Sequence, residues 1–273
     1  MSRENESIYL LDMSLCEPRE AISADFAPGK WTAVDYSIAA GSGRMLFSGP
    51  DTQAPPVSLD PGVSGWHHIY IGTYRHHVFP EYILLLKLTS DPGYSRATVE
   101  TFRRDKDLVA EEMVLGQTDL AEAYWKSADL TGEQIRFHRP TAGLRNETTA
   151  NITYIRLVPL SEAEQAQAEA RPSAEDRRLI ANYDGGQNTF WAYTSDDDMR
   201  SEFQALADSD FKAALWGCAR SFAAYYPSRV ASMVQWSYGL PGIMRAGRVA
   251  IEQQQQHNFD PLRSAVRCAR EIG

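Results

Sequence analysis

Ser161-Glu-Ala-Glu-Gln-Ala-Gln-Ala-Glu-Ala-Arg-Pro-Ser173 is the stretch on which the reading of the fold turns. It is polar, rich in Ala, Glu and Gln, and ends at a proline, so it reads as a linker with a helical turn or two. The pattern of the chain differs on its two sides. Before it, residues 30–160 carry short β-like runs separated by Gly, Pro, Asp and Ser clusters. After it, strand-like and helix-like segments alternate.

On the N-terminal side, Val34, Tyr36 and Ile38 alternate with Asp35 and Ser37, and Arg44 to Phe47 follows the Gly41-Ser42-Gly43 turn. Trp66 to Tyr74 is aromatic and β-branched, Tyr82 to Leu88 is apolar, and Asp91-Pro92-Gly93 signals a turn. Ala97 to Phe102, Met113 to Leu115, Ala121 to Trp125, Gln134 to His138 and Ile152 to Val158 complete the series. Such a run predicts an antiparallel β-sandwich of jelly-roll, galactose-binding-like type over residues 1–160. Leu15 to Ile22 is the one place there where a helix is conceivable.

On the C-terminal side, Arg178 to Tyr183 reads as a strand ending at Asp184-Gly185-Gly186. Ser195 and Asp196 suit the start of a helix with an acidic first turn, and Met199, Phe203 and Leu206 fall on one helical face. Phe211 to Trp216 reads as a second strand, apolar enough to be buried on both faces. After a long excursion from Gly217 to Asn258, Asp260-Pro261 opens a helix with Leu262, Val266 and Ala269 on one face, and Gly273 stands where a C-terminal cap belongs. The expectation is therefore a multi-domain α and β chain. A sandwich at 1–160 and a linker at 161–176 lead to the first βαβα units of a (β/α)8 barrel at 177–273, too few to close one.

Several stretches resemble bacterial glycosyl hydrolase-like proteins in which a β-sandwich precedes a (β/α)8 barrel. They are Ser64-Gly-Trp-His-His-Ile-Tyr70, Asn151-Ile-Thr-Tyr-Ile-Arg-Leu-Val-Pro-Leu160, Ser209-Asp-Phe-Lys-Ala-Ala-Leu-Trp-Gly217, Tyr226-Pro-Ser228, Asp260-Pro-Leu262 and Ala269-Arg-Glu-Ile-Gly273. The resemblance implies hydrolysis of glycosidic bonds by paired carboxylates. It also implies that this chain is a fragment, inactive alone, because most of the barrel is missing. The other reading is a non-catalytic carbohydrate-binding or structural module.

Barrel enzymes place their chemistry at the C-terminal ends of the strands. The candidate substrate-binding residues there are Asn182, Asp184 and Gln187 after the first strand, Trp191 and Tyr193 in the loop that follows, and Trp216 after the second. Asp184 also suits the start of an Asp-Gly turn, and the rings of the loop equally plug the barrel mouth or contact the sandwich; no acid/base pair is assigned. The aromatic face Trp66, Tyr70 and Tyr74 offers a sugar platform or core packing. His67 and His68 fall on opposite faces of a strand, so they cannot both ligate one ion. Asp196-Asp197-Asp198 lacks the glycine and terminal glutamate of a calcium loop and reads as a charged helix start. No metal and no cofactor is expected, as there is neither a P-loop nor a dinucleotide fingerprint.

The net charge of −9 over 273 residues argues against nucleic acid as a partner. No apolar run approaches the ~18–20 residues of a membrane span, and the polar start Met1-Ser-Arg-Glu-Asn-Glu6 is no secretory signal. Cys16, Cys218 and Cys268 are odd in number and far apart, which favours a reducing, cytoplasmic setting. Asn146-Glu-Thr and Asn151-Ile-Thr match the glycosylation sequon, a pattern frequent by chance. The expected partners are a carbohydrate and, through an exposed sheet edge, a second copy of the chain.

Overall fold

Alternation of apolar and polar residues along short β-branched runs gives strands with one buried face, and the computed structural model of the chain shows where those faces meet. It describes residues 7–49, 52–75, 84–96, 119–139, 149–170, 176–183, 193–204, 206–207, 209–220, 223–233 and 251–272. The chain divides into two units: Met1–Asp91, Arg96–Arg139 and Glu147–Ala170 form the first, and Pro92–Ser95, Pro140–Asn146 and Arg171–Gly273 the second. The expected strands Ala97 to Phe102 and Met113 to Leu115, and Gly273, lie outside the described residues.

In the first unit the strands are β1 (Ile8–Leu10), β2 (Ile22–Ser23), β3 (Trp31–Ile38), β4 (Gly41–Ser48), β5 (Val57–Leu59), β6 (Trp66–Arg75) and β7 (Leu85–Leu88). They are followed by β8 (Ser95–Arg96), whose Ser95 falls in the second unit, and by β9 (Asp119–Asp129), β10 (Ile135–His138), β11 (Ala150–Ile152) and β12 (Tyr154–Pro159). Three four-stranded sheets result, in the orders β1-β12-β6-β9, β11-β4-β3-β2 and β5-β10-β7-β8. All three feed one core: Ile69, Ile71, Ile155 and Leu157 from the first, Trp31, Leu46 and Ile152 from the second, Val57, Leu86, Ile135 and Phe137 from the third. Three small sheets thus stand where the sequence suggested one jelly-roll sandwich. Leu15 to Ile22 forms no α-helix; it contains the end of one 3-10 turn, Met13–Leu15, and a second, Arg19–Ala21.

The junction of two of these sheets is a single residue. Thr153, fully buried, separates β11 in the second sheet from β12 in the first. Past this corner β6 continues beyond its last backbone pairing with β12, Gly72 with Tyr154. The buried carboxamide of Asn151 takes over: Oδ1 accepts from the Tyr74 amide at 2.8 Å and Nδ2 donates to the Tyr74 carbonyl at 2.7 Å. A side-chain amide thereby stands in for a peptide group of the missing strand. It also leaves Asn151 buried, with both ends of its carboxamide engaged, and so closed to glycosylation in the folded chain.

Residues 171–175 of the expected linker lie outside the described residues; the helical turns expected in it are α1 (Glu162–Glu169), about two turns long. Ser161 and Glu164 form a capping box at its start, each satisfying a backbone or hydroxyl group of the other.

In the second unit β13 (Leu179–Tyr183) and β14 (Phe211–Trp216) pair in parallel. Helices α2 (Asp196–Gln204) and α3 (Pro261–Ile272) share a core of Tyr193, Met199, Phe203, Ala265 and Cys268, against which Ala214 and Trp216 pack. Here the barrel expectation is corrected. Among the described residues the parallel sheet has two strands, no barrel closes, and the structure is mostly β. The next strands after β14, namely β15 (Ala219–Arg220), β16 (Ala223–Ala224) and β17 (Ser232–Met233), form a separate mixed sheet with an antiparallel pair. That arrangement interrupts any βαβα repeat. Nor is β14 buried on both faces. Ala214 and Trp216 meet the helices, while Leu215 and Ile180 on the other side are 58% and 59% exposed.

The face that α3 buries also differs from the expected one. Asp260 caps it, accepting from the Arg263 amide at 3.0 Å, but the buried residues are Pro261, Ser264, Ala265 and Cys268, and Val266 is exposed. Small side chains win because polar ties hold α3 close to α2. Ser264 bonds the Asp196 carboxylate, Cys268 Sγ donates to the Asp196 carbonyl at 3.5 Å, and Arg200 pairs with Glu271 at 2.7 Å.

Candidate functional site

The antiparallel register of the first sheet stacks side chains of its outer face into three rows. Tyr154, Gly72 and Glu122 form one; Tyr9, Arg156, Tyr70 and Tyr124 the next; Val158, His68 and Ser127 the third. A bulge opposite Ile69 and Tyr70 decides the membership of the third row. An extra residue, Trp125, enters β9 there and resets its alternation. Ser127, which regular alternation from Tyr124 would send to the opposite face, joins it on this one.

In the middle row the Arg156 guanidinium lies 4.0 Å from the centre of the Tyr70 ring, a cation–π geometry. Tyr70 meets Tyr124 edge-on at 5.5 Å. Glu122 accepts from Arg156 Nε at 2.9 Å and from Nη2, and also from the Tyr154 hydroxyl at 3.1 Å. The hydrogen bond that Arg156 donates to Glu122 raises the pKa of Arg156, so its guanidinium stays charged. Burial, followed by the charge of Glu122, pushes the Tyr154 phenol well above its ordinary value. Tyr154 is therefore a neutral donor in the core, while Tyr124 presents its ring to solvent, 55% exposed.

The third row is a hydrogen-bonded chain. The Tyr124 hydroxyl lies 2.8 Å from Ser127 Oγ, which lies 2.6 Å from His68 Nδ1. His68 Nε2 faces Glu164 Oε1 of α1 at 3.9 Å. The face offers two exposed aromatic rings, Tyr124 and the less exposed Tyr9, with a fixed ion pair between them and hydroxyl and imidazole groups beside Tyr124.

The residues singled out in the second unit do not form such a site. Tyr193 is fully buried, with no surface for a ligand. Trp216 packs among Tyr183, Phe203 and Tyr193, with ring centres 5.0, 5.3 and 6.5 Å away. Asn182 follows strand alternation to the face opposite Tyr183, so β13 separates it from Trp216. Asp184, Gln187 and Trp191 lie outside the described residues. Each aspartate of the acidic triplet is engaged: Asp196 with Ser264 and Arg267, Asp197 with Arg200, Asp198 with the amide and hydroxyl of Thr194.

Of the aromatic trio on β6, Tyr70 belongs to the outer-face cluster, whereas Tyr74 is buried with Tyr36, Met45, Leu120 and Tyr154. Glu122, Tyr124 and Arg156 were missed from the sequence. The signal available was weak: charged residues inside otherwise β-like runs, on strands whose mutual register no local pattern reveals.

No protein-family model matches the chain and no curated protein matches it, so the likeness to glycosyl hydrolase-like proteins gains no support from these comparisons.

Proposed function

We propose that the first unit is a non-catalytic carbohydrate-binding module that receives a sugar chain on the outer face of its first sheet. The hydrolase half of the sequence expectation needed a barrel, and the described residues of the second unit form none. The binding half needs only a sheet face with accessible rings. One observation carries it: Tyr124, exposed on a strand face, is bordered by hydrogen-bonding groups whose positions are fixed. A sugar ring packs its C–H face on such a ring while its hydroxyls reach Ser127, His68 and the Glu122–Arg156 pair. Sites for small ligands characteristically combine an apolar surface with a few placed polar groups.

A glycan array followed by calorimetric titration tests the reading. Tyr124→Ala should weaken the best array ligand at least about tenfold, or about 1.4 kcal/mol, with the melting temperature unchanged because the ring is exposed. An array on which the native chain finds no sugar would end this reading.

Self-association belongs to the same proposal through the open face of β13 and β14. Replacing Ile180 and Leu215 together by threonine is expected to reduce association seen by sedimentation, at a stability change within about 0.5 kcal/mol for each exposed site. Sedimentation identical to that of the native chain would count against the role of this face. No helix among the described residues is long and apolar enough to cross a membrane. A cytoplasmic setting is part of the proposal on the ground of the three free thiols. Of these, Cys16 is buried and its pKa is pushed up to about 12, chiefly by that burial.

A further inference from the structure

We propose that protonation of His68 turns the Tyr124 hydroxyl from an acceptor into a donor, so that the same face takes acidic glycans only when His68 is charged. The identity of the ligand rests on the carbohydrate reading above; the switch itself rests on the chain Tyr124–Ser127–His68–Glu164.

The direction of each hydrogen bond in that chain follows from counting protons. A neutral imidazole has one donor and one acceptor nitrogen. Nε2 faces the Glu164 carboxylate, and a lone pair turned toward a carboxylate is repelled, so the proton sits on Nε2 and Nδ1 accepts. Ser127 then donates its single proton to Nδ1 across 2.6 Å. The remaining contact, Tyr124 to Ser127 at 2.8 Å, must be donated by Tyr124. With its proton directed inward, the Tyr124 oxygen shows a ligand only lone pairs.

A charged imidazole donates from both nitrogens. Nδ1–H now gives its bond to Ser127 Oγ, the serine proton turns to the Tyr124 oxygen, and the Tyr124 proton is released toward the ligand. One proton is taken up at His68 and two hydroxyls, those of Ser127 and Tyr124, reorient; no bond between heavy atoms changes. The other charged or titratable groups around His68 are few. From α1 there is Glu164; from β9, Tyr124 and, two rows away, Glu122; from β6, Tyr70; from β12, Arg156, whose charge Glu122 answers. Apart from Tyr124 itself, none of them is hydrogen-bonded to Ser127 among the described residues, so the reversal is a matter between these two hydroxyls.

A sugar hydroxyl donates or accepts, so a neutral glycan tolerates either state of Tyr124. A carboxylate only accepts, so a uronate meets a matching donor in the protonated state alone. Histidine is the side chain whose charge changes between about pH 5 and 8, and uronates remain ionised over that range.

The test titrates the full chain with cellotetraose and with tetragalacturonate at pH 8 and pH 5.5. Between these pH values tetragalacturonate should bind about tenfold more tightly at the lower, and cellotetraose should change less than twofold. His68→Gln and Tyr124→Phe should each abolish the difference with the melting temperature kept. An equal pH response for both sugars, or one that survives in Tyr124→Phe, would overturn the proposal. The ligand-free 15N spectrum of the His68 ring separates the two readings. A proton on Nδ1 rather than Nε2 at pH 8 overturns the switch whatever binds. The Nε2–H form at pH 8, with a Tyr124 hydroxyl proton that leaves Ser127 at pH 5.5 and no binding of either sugar, upholds the switch and discards the carbohydrate ligand; a proton that stays on Ser127 overturns it.

Discussion

Asn151→Leu should destabilise the first unit by about 3–5 kcal/mol, a large part of the stability an ordinary domain possesses. The residue is 1% exposed, and its carboxamide bonds both the amide and the carbonyl of Tyr74. Leucine keeps the branched shape but sets methyl groups where Oδ1 and Nδ2 stand 2.8 and 2.7 Å from the Tyr74 backbone, so lost hydrogen bonds and crowding act together. Each buried group deprived of its partner costs about 1–3 kcal/mol. Two such groups lie side by side on the backbone of β6, at the point where β12 no longer accompanies it. Asn151→Asp should be comparably harmful, since it sets an oxygen against the Tyr74 carbonyl in place of the Nδ2 donor. Urea denaturation followed by tryptophan fluorescence measures both. A loss below about 1 kcal/mol for leucine would mean that the peptide groups of Tyr74 are satisfied without Asn151, and that the corner is not held in this way.

The importance of Asn151 shows why some of this fold could be read from sequence and some could not. Local signals were legible. The alternation at Val34, Tyr36 and Ile38, the run from Trp66 to Tyr74 and the cap at Asp260 all mark real elements, because each depends only on neighbours in the chain. Long-range choices were not. That Asn151 would bond a residue 77 positions away, inside what looks like a glycosylation sequon, is set by a change of sheet at Thr153 that no local pattern announces. The helical turns expected within the linker at 161–176 have a local start signal, since Ser161 and Glu164 carry the spacing of a capping box. The barrel expectation had a different origin. Two strand-like segments with a helix between them do pair in parallel, but a sequence window cannot say whether the next strand extends that sheet, and here β15, β16 and β17 do not. The outer-face site was partly visible. Tyr70 was singled out, whereas Glu122, Tyr124 and Arg156 meet it only through strand register and a bulge.

Gly72→Ala should cost about 2–3 kcal/mol, against the usual sign of such a change. A glycine inside a strand ordinarily weakens it by roughly 0.5–1 kcal/mol relative to alanine, and no positive φ requires glycine at this position. Alanine would therefore stabilise β6 if space allowed. Space does not allow it: a Cβ on Gly72 would stand 2.4–2.6 Å from three atoms of the Tyr154 ring. That ring is fully buried, lies 5.8 Å from the ring of Tyr9, and donates its hydroxyl to Glu122 at 3.1 Å. It cannot yield without disturbing both the core and the face outside. Overpacking of this kind costs about 1–3 kcal/mol, and loss of the Tyr154–Glu122 bond adds about another 1 kcal/mol, which together exceed the propensity gain. The same displacement would loosen Glu122, and with it the Arg156 guanidinium over Tyr70, so glycan affinity should fall alongside stability. A double-mutant cycle with Tyr154→Ala isolates the cause. If the clash is responsible, Gly72→Ala should be nearly neutral once the ring is gone, giving a coupling of about 2 kcal/mol between the two sites. Additive losses in thermal denaturation would instead assign the cost to the strand itself and remove Tyr154 as the reason for glycine at 72.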